Sequence, residues 1–123
     1  MTEASPEKTY HDWKKDQGKL RWSLLPLEAV AAVVDILEYG ALKYAPDSWR
    51  GVPDAQRRYF DALLRHLFDW WVKKERYDPE SGKLHLAHVG CNALFLIALE
   101  MTQIAKEETE CTTPSKHTQP PTP

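Results

Sequence analysis

The chain has 123 residues, of which 28% are charged and 42% hydrophobic, and its formal net charge is -2. This length and composition indicate one globular domain with its own hydrophobic core. The near-neutral charge excludes a protein-wide basic field, so we expect no nucleic-acid polymer as a partner. The N-terminus lacks an apolar signal core, and no apolar run reaches about 18 residues. We therefore expect a cytoplasmic protein without a membrane span.

Composition divides the chain into three parts. Residues 1–22 are mostly polar and form an N-terminal arm. Residues 23–106 carry the apolar periodicity of a helical domain. Residues 107–123 are rich in Thr and Pro, and we predict a disordered tail or linker there.

The periodic region predicts three helices. The first opens at residues 23–26, where Pro26 suits a first helical turn, and a loop follows at residues 45–51. The second begins at Pro53 and ends near the turn at residues 77–82, and the third runs from there to about Lys106. The apolar residues predicted to be buried are Leu27, Val30, Val34, Leu37, Ala41 and Tyr44 on the first helix; Phe60, Leu63, Leu64, Leu67 and Trp71 on the second; and Leu86, Val89, Ala93, Leu96 and Ile97 on the third.

No segment alternates with period two, so the fold class is all-α. We predict a bundle of three long helices plus the N-terminal arm. Three amphipathic helices with such extensive apolar faces favour pairing with further subunits, so we expect a homo-oligomer, a dimer or tetramer, to complete the bundle.

Polar side chains form one stripe on the third helix. His85, His88 and Asn92 are spaced i, i+3 and i+7, and the stripe continues as Phe95 and Leu99, so it points inward. Buried imidazoles and amides that lack partners cost about 1–3 kcal/mol each, so these need hydrogen bonds or a ligand. A single buried histidine is usually satisfied by neighbouring protein groups. Three such residues on one stripe favour a functional centre.

A second polar set lies on the preceding helix. Arg65, His66 and Asp69 fall within about a third of its circumference, and Asp61 lies one turn earlier. A cation, an imidazole and a carboxylate would therefore share a face. The alternative is a solvated face with an Arg65–Asp69 ion pair worth a few tenths of a kcal/mol.

Three carboxylates, Glu75, Asp78 and Glu80, lie within six residues in the turn before the third helix. Oxygen ligands suit Mg²⁺ or Mn²⁺, whereas imidazoles suit Mn²⁺, Zn²⁺ or Fe, so the residue types do not select one metal. An alternative role of Asp78 and Ser81 is only to cap the helix that follows.

Basic and aromatic side chains elsewhere form a candidate substrate surface. Lys and Arg bind phosphate oxygens and aromatic rings stack on bases, so this combination suits a nucleotide. The alternative is that the tryptophans belong to the core and the lysines are solvated. The candidate substrate-binding residues are Lys19, Arg21, Lys43, Tyr44, Trp49, Arg50 and Asn92.

Four segments carry a resemblance to a known family: DQGKLRWSLLP (16–26), YGALKYAPDSWR (39–50), LLRH (63–66) and DPESGKLHLAHVGCNALFL (78–96). Together they resemble the phage-encoded dATP/dGTP diphosphohydrolase family over roughly Asp16 to Glu100. That family is similar to the MazG-like all-α nucleotide pyrophosphohydrolases. Those enzymes bind Mg²⁺ with an E-x-x-E helix and an E-x-x-D helix, and they cut nucleoside triphosphates between the α and β phosphates.

The resemblance implies metal-dependent hydrolysis of dGTP or dATP to monophosphate and pyrophosphate. It also implies control of the deoxynucleotide pool during phage infection, in the host cytoplasm, and supply of dGMP in phages that use 2-aminoadenine. The two motifs correspond to residues 66–69 and 85–88, where imidazoles replace carboxylates. Either the metal preference has shifted, or the carboxylates come from Glu38, Glu75, Asp78 and Glu80.

Combining the residues with the resemblance assigns roles to the cluster. A water molecule would attack phosphorus while the metal and basic side chains neutralise charge on the bridging oxygens. Mg²⁺ or Mn²⁺ is the expected metal, with Zn²⁺ and Fe left open. The candidate metal ligands are His66, Asp69, Asp78, His85 and His88, and the candidate catalytic residues are Glu75, Glu80 and Arg65.

Two other functions were compared with this one. An HD-type phosphohydrolase, which releases triphosphate, needs adjacent His and Asp in a ligating position, and the His11–Asp12 dipeptide lies in the polar arm. A non-enzymatic phage module would bind a host protein or single-stranded nucleic acid through the five tryptophans. The inward-facing polar stripe argues against the second alternative.

Overall fold

The structure is a computed structural model that describes residues 17–112. Helix α1 spans Leu27–Lys43, α2 spans Ala55–Trp71 and α3 spans His85–Thr112, with short 3-10 helices at Trp22–Leu24 and Ser48–Gly51. Within the described residues the only strand-like pairing is one antiparallel bridge between Tyr77 and Leu84. The prediction of an all-α fold with three long helices is confirmed. The predictions for His11, Asp12 and residues 113–123 lie outside the described residues.

Helix α3 is longer than the sequence predicted. We expected an end near Lys106 and disorder from Glu107 onward, but the helix continues to Thr112. Residues 106–110 are mostly Lys and Glu, which are good helix formers, and the first helix-breaking proline comes only at Pro114. The high Thr and Pro content of residues 107–123 as a whole predicted disorder, although residues 107–112 continue the helix.

Helix α3 is the central element and packs against both other helices. The buried core consists of Ile36 from α1 with Ala87 and Cys91 from α3. Gly90 lies on the same contact, where an added Cβ would be 3.1 Å from Cγ2 of Val33. Small residues on α3 thus allow α1 to approach closely. The first turn of α3 is thereby fixed between the other two helices.

Many apolar side chains predicted to be buried are exposed in the single chain. Phe60, Leu64 and Trp71 on α2 are 50%, 45% and 61% exposed. Because α1 and α2 each pack mainly against α3, their other apolar positions have no covering layer. The remaining predictions that were wrong in this way concern Leu27, Val34, Tyr44, Leu86 and Ile97.

Among the described residues, α3 is long and apolar enough between His85 and Glu110 to cross a membrane by length and composition alone. Core helices of soluble proteins also meet this criterion, so it gives little support for a membrane span. His85 and Asn92 are buried polar residues of this helix, as expected for the central helix of a bundle.

Candidate functional site

After α2 the chain reverses direction, which brings the side chain of Glu75 back to the helical bundle. Lys74 has a left-handed φ of 57°, and the N–H of Glu75 donates to the carbonyl of Asp69 at 3.0 Å. A left-handed conformation costs a non-glycine residue roughly 1–2 kcal/mol. The surrounding contacts therefore maintain a strained reversal directly before Glu75.

A second turn leads from this reversal into α3. The N–H of Asp78 donates to the carbonyl of Lys83 at 2.8 Å, and the N–H of Gly82 donates to the carbonyl of Asp78 at 2.7 Å. Gly82 has a φ of 74°, a conformation that glycine adopts without steric cost. The N–H of His85 then donates to the carbonyl of Arg76 at 3.0 Å. These bonds fix the turn relative to the first residue of α3.

His85 is the centre of the cluster and is 0% exposed. Its Nε2 lies 2.9 Å from Oε1 of Glu75, and its Nδ1 lies 2.9 Å from Nδ1 of His66. A carboxylate only accepts hydrogen bonds, so Nε2 of His85 carries the proton. Its Nδ1 and that of His66 share one proton across their 2.9 Å contact. The buried imidazole is thus oriented from both sides.

His88 lies beside this pair. Its ring stacks on that of His66 with centroids 4.2 Å apart and an interplanar angle of 5°. Its Nε2 lies 2.8 Å from Oγ of Ser81 and 3.8 Å from Oδ2 of Asp78. Ser81 also donates its backbone N–H to Oδ2 of Asp78 at 2.8 Å. The turn and two helices therefore meet at three imidazoles.

Burial makes the imidazoles of His66 and His88 poor bases. Burial, together with the neighbouring His88, lowers the pKa of His66 to about 4, although Asp78 opposes the shift. Burial also lowers the pKa of His88, again against the effect of Asp78. For Asp78, burial would raise the pKa, but hydrogen bonds from Ser81 and the adjacent histidines lower it overall. At neutral pH these two imidazoles are therefore neutral and lie beside the ionised carboxylate of Asp78.

Two sets of ligand atoms are close enough to share a metal ion. One comprises His66, Asp78 and His85, the other Asp69, Glu75 and His85, and in each set the atoms lie within 4.8 Å of one another. Two nitrogens bound to one metal at about 2.1 Å and a right angle would lie about 3.0 Å apart. A metal ion that displaced the proton between the two Nδ1 atoms of His66 and His85 would therefore leave the rings in place. A carboxylate behind a ligating imidazole, as Glu75 lies behind His85, is a common arrangement in metal centres. The residues fit a divalent metal with mixed nitrogen and oxygen ligands.

Other predicted site residues lie outside these two sets. The side chain of Glu80 is 69% exposed and accepts a hydrogen bond from Lys43 at 2.7 Å. Arg65 is exposed and forms no ion pair with any carboxylate of residues 17–112. The alternative Arg65–Asp69 pair is not formed, because Asp69 pairs with Lys73 at 3.4 Å instead.

The aromatic part of the predicted substrate surface packs against α3. Trp49 stacks on Phe95 with centroids 4.3 Å apart, and the Arg50 guanidinium lies 4.4 Å from the centroid of the Trp49 ring. Tyr59 donates its hydroxyl to the carbonyl of Trp49 at 2.7 Å. These contacts fix the 3-10 helix before α2 against the end of the polar stripe.

The remaining substrate candidates have dissimilar surroundings. Lys19, Arg21 and Tyr44 are exposed. Asn92 is 8% exposed and donates its side-chain amide to the carbonyl of His88 at 2.8 Å. The inward direction predicted for the stripe is confirmed, whereas the substrate-binding roles stay predictions.

Sequence reasoning gave too small a role to Ser81. It was considered only as a helix cap, yet α3 begins four residues later at His85. Its hydroxyl contacts His88, and its N–H contacts Asp78. The signal was the spacing of Asp78, Ser81 and His88, three and seven residues apart, across a turn whose shape the sequence did not specify.

A bundle whose facing helices share an imidazole–carboxylate cluster belongs to the class of all-α proteins with a candidate metal centre. Comparison with known proteins defines the family. The chain matches the family described as dATP/dGTP diphosphohydrolase, N-terminal, over residues 9–109. A curated relative from Salmonella phage PMBT28, named dATP/dGTP diphosphohydrolase, is 33% identical over 86 residues.

The chain therefore belongs to the dATP/dGTP diphosphohydrolase family, and the predicted resemblance is confirmed. The aligned region covers 70% of this chain but 29% of the Salmonella phage PMBT28 relative, so the chain spans under a third of that protein. No solved structure matches the chain significantly.

Proposed function

We propose that this protein is a metal-dependent diphosphohydrolase that converts dATP or dGTP to the monophosphate and pyrophosphate. One observation carries the proposal: a fully buried imidazole, His85, is bonded on one side to Glu75 and on the other to His66. Family membership supports the substrate class. Ring nitrogens next to the carboxylate of Asp78 supply the donor set for a divalent ion.

The proposed reaction is an in-line displacement. The oxygen of a water molecule attacks phosphorus, the bond to the oxygen bridging the α and β phosphates breaks, and pyrophosphate leaves with the bonding electron pair. His66, Asp78 and His85 would hold Mg²⁺ or Mn²⁺, which when bound supplies charge neutralisation and a more acidic water. Zn²⁺ and Fe are further candidates.

Two protein side chains would accept the released proton and bind the phosphate oxygens. Glu75 fixes His85 through Oε1, and its side chain is 40% exposed, so the carboxylate can accept the proton released by the attacking water. Arg65 projects from α2 next to His66 without a carboxylate partner among residues 17–112, so it is available to bind phosphate oxygens. We place this activity in control of the purine deoxynucleotide pool during phage infection, in the host cytoplasm.

Product analysis tests the reaction. The protein is incubated with each of the four dNTPs and Mg²⁺ or Mn²⁺, and we expect monophosphate and pyrophosphate from dATP or dGTP. Asp78→Asn should lower turnover and Mn²⁺ affinity, whereas Asp61→Asn, which removes an exposed carboxylate bonded to Arg57, should change neither. Triphosphate plus nucleoside would support the HD-type alternative. No turnover with any dNTP would contradict the proposal.

We also propose that copies of this chain assemble into a homo-oligomer. Leu94, Ile97, Met101 and Ile104 of α3 are 51%, 55%, 64% and 44% exposed. Their spacing of three, four and three residues is that of a helix pairing seam, which a second copy of the same helix can match. A second row of exposed apolar side chains, on α2, comprises Phe60, Leu64, Phe68 and Trp71.

Sedimentation tests the assembly. We expect a dimer or tetramer for the unmodified protein and a smaller species for Met101→Glu, because a carboxylate would be buried without a partner. Thr102→Glu places the same group next to the seam and should leave the assembly intact. A monomer at micromolar concentration would contradict the proposal and leave another partner to cover the face.

A further inference from the structure

Two ion pairs join the turn at residues 77–84 to α1. Nζ of Lys83 donates to Oδ2 of Asp35 at 2.8 Å, and Nζ of Lys43 donates to Oε2 of Glu80 at 2.7 Å. Within the described part of the chain, these two pairs are the hydrogen bonds and ion pairs between the turn and α1. The polar attachment of the turn to α1 therefore depends on four charged side chains.

The order of the charges selects one position of the turn on α1. Asp35 and Lys43 are eight residues apart on this helix, or about 12 Å along its axis. Every charge has an opposite partner in the observed arrangement. The other pairing would place Asp35 beside Glu80 and Lys43 beside Lys83, where like charges repel. The two pairs thus fix the position of the turn along α1 as well as its contact with it.

The two ammonium groups are more restricted than those of freely solvated lysines. The side chain of Lys83 is 28% exposed and that of Lys43 is 40% exposed. Nζ of Lys43 also lies 5.7 Å from the ring centroid of Tyr39 and 5.4 Å from that of Tyr44. A cation within about 6 Å of an aromatic ring is attracted to it. These contacts reduce the freedom of both side chains to leave their carboxylate partners.

The anchored residues of the turn adjoin the bonds that hold Asp78. The N–H of Asp78 donates to the carbonyl of Lys83 at 2.8 Å. Glu80 directly precedes Ser81, whose N–H donates to Oδ2 of Asp78 at 2.8 Å. A displacement of the turn on α1 would therefore move this carboxylate relative to the imidazoles of α2 and α3.

We propose that Lys43 and Lys83 are positioning residues, whose ion pairs with Glu80 and Asp35 hold the turn on α1 and thereby fix the carboxylate of Asp78. Lys43 and Glu80, predicted from the sequence to bind substrate and to act in catalysis, then serve as partners of each other. The effect on turnover rests on the proposed function, but the attachment of the turn does not.

Amide hydrogen exchange of the full chain, followed by nuclear magnetic resonance without metal or nucleotide, tests the attachment. Asp35→Lys replaces an attraction by a repulsion, so the N–H groups of Asp78 and Ser81 should exchange about 3–10-fold faster. Asp35 is far from these amides in sequence, so a faster rate cannot be a local effect of the substitution. Asp35→Lys combined with Lys83→Glu restores opposite charges and should reverse most of the increase.

Charge exchange at the other pair separates positioning from a direct role in the reaction. Lys43→Glu and Glu80→Lys should each lower kcat for a purine dNTP by about 3–10-fold and raise the Mn²⁺ concentration needed for half-maximal turnover. The KM for the nucleotide should change little, and the double variant should recover most of the lost kcat. If Lys43 bound phosphate, its replacement would raise KM and the double variant would not recover. If Glu80 were catalytic, the double variant would stay as slow as Glu80→Lys.

Arg57→Glu is the matched control, because it reverses the charge of an exposed cation that pairs with Asp61 inside α2. It should change neither the exchange rates nor turnover. Unchanged exchange in Asp35→Lys, or no recovery in the double variants, would overturn the inference. If exchange responds and recovers as expected but the unmodified protein turns over no dNTP, the attachment of the turn stands and the proposed function fails.

Discussion

Truncation of Glu75 to alanine removes the acceptor that the described residues provide for Nε2–H of His85. The imidazole is 0% exposed, so its donor cannot reach solvent in the present arrangement. A buried donor without a partner costs about 1–3 kcal/mol. The Glu75 side chain is itself 40% exposed, so water can enter part of the space that it leaves. We therefore expect a loss of about 1–2 kcal/mol in the free energy of unfolding.

Equilibrium denaturation at fixed protein concentration, without added metal, measures this loss. For a domain of this size, each kcal/mol lost in the free energy of unfolding lowers Tm by about 4–8 °C. Glu75→Gln keeps an acceptor oxygen and should recover more than half of the loss. Glu80→Ala is the matched control, because its carboxylate is 69% exposed and forms only a surface pair with Lys43. Surface pairs of this kind contribute about 0–1 kcal/mol.

Two results would refute this reasoning. If Glu75→Ala and Glu80→Ala lower the free energy of unfolding equally, the bond between Glu75 and His85 has no special role. If Glu75→Gln is as unstable as Glu75→Ala, the loss comes from packing of the side-chain stem and not from the hydrogen bond.

The pKa of His66 falls from its ordinary value of 6.5 to about 4 in the folded protein, so the unfolded chain binds more protons between these values. The free energy of unfolding should therefore decrease as pH falls from about 6.5 to about 4, and an unchanged pH slope in His66→Asn would contradict this. In denaturation experiments Gly82→Ala should cost about 1–2 kcal/mol, because its φ is 74°. Gly40 lies inside α1 with nothing within 4 Å of an added Cβ, so Gly40→Ala should instead stabilise the protein by about 0.5–1 kcal/mol. If both substitutions changed the free energy of unfolding in the same direction, the backbone argument would be contradicted. In calorimetry Mn²⁺ should bind more tightly than Mg²⁺ because of the imidazoles, and the reverse order would exclude His66 and His85 as ligands.

Hydrophobic periodicity was sufficient to predict the three helices and the inward direction of the polar stripe. Spacing alone placed His85 and Asn92 on the inward face of α3, and both are buried. It failed for Phe60 and Trp71, because an apolar position is buried only if another element covers it. A pattern on one helix does not state whether the covering layer comes from the same chain.

The pairing of Glu75 with His85 could not be predicted from residue spacing. It depends on Lys74, whose left-handed φ is unusual for a residue with a side chain. No local sequence motif predicts a left-handed φ at Lys74, because glycine or asparagine is the residue expected in that conformation. The prediction that Glu75 belongs with the histidines came from sequence proximity, and the backbone reversal supplies the physical reason.

The proposed site differs in charge balance from the all-carboxylate site of the MazG-like enzymes that the sequence resembles. A set formed by His66, Asp78 and His85 carries one negative charge when both rings are neutral, whereas three carboxylates would carry three. Burial keeps the His66 ring neutral, because its pKa lies at about 4. Such a site attracts a hard ion such as Mg²⁺ less strongly but repels a triphosphate less. The lost attraction can be recovered only through ligand geometry, which is why the bonds from Glu75 to His85 and from Ser81 to His88 matter: each fixes a ring nitrogen that charge alone would not hold in place.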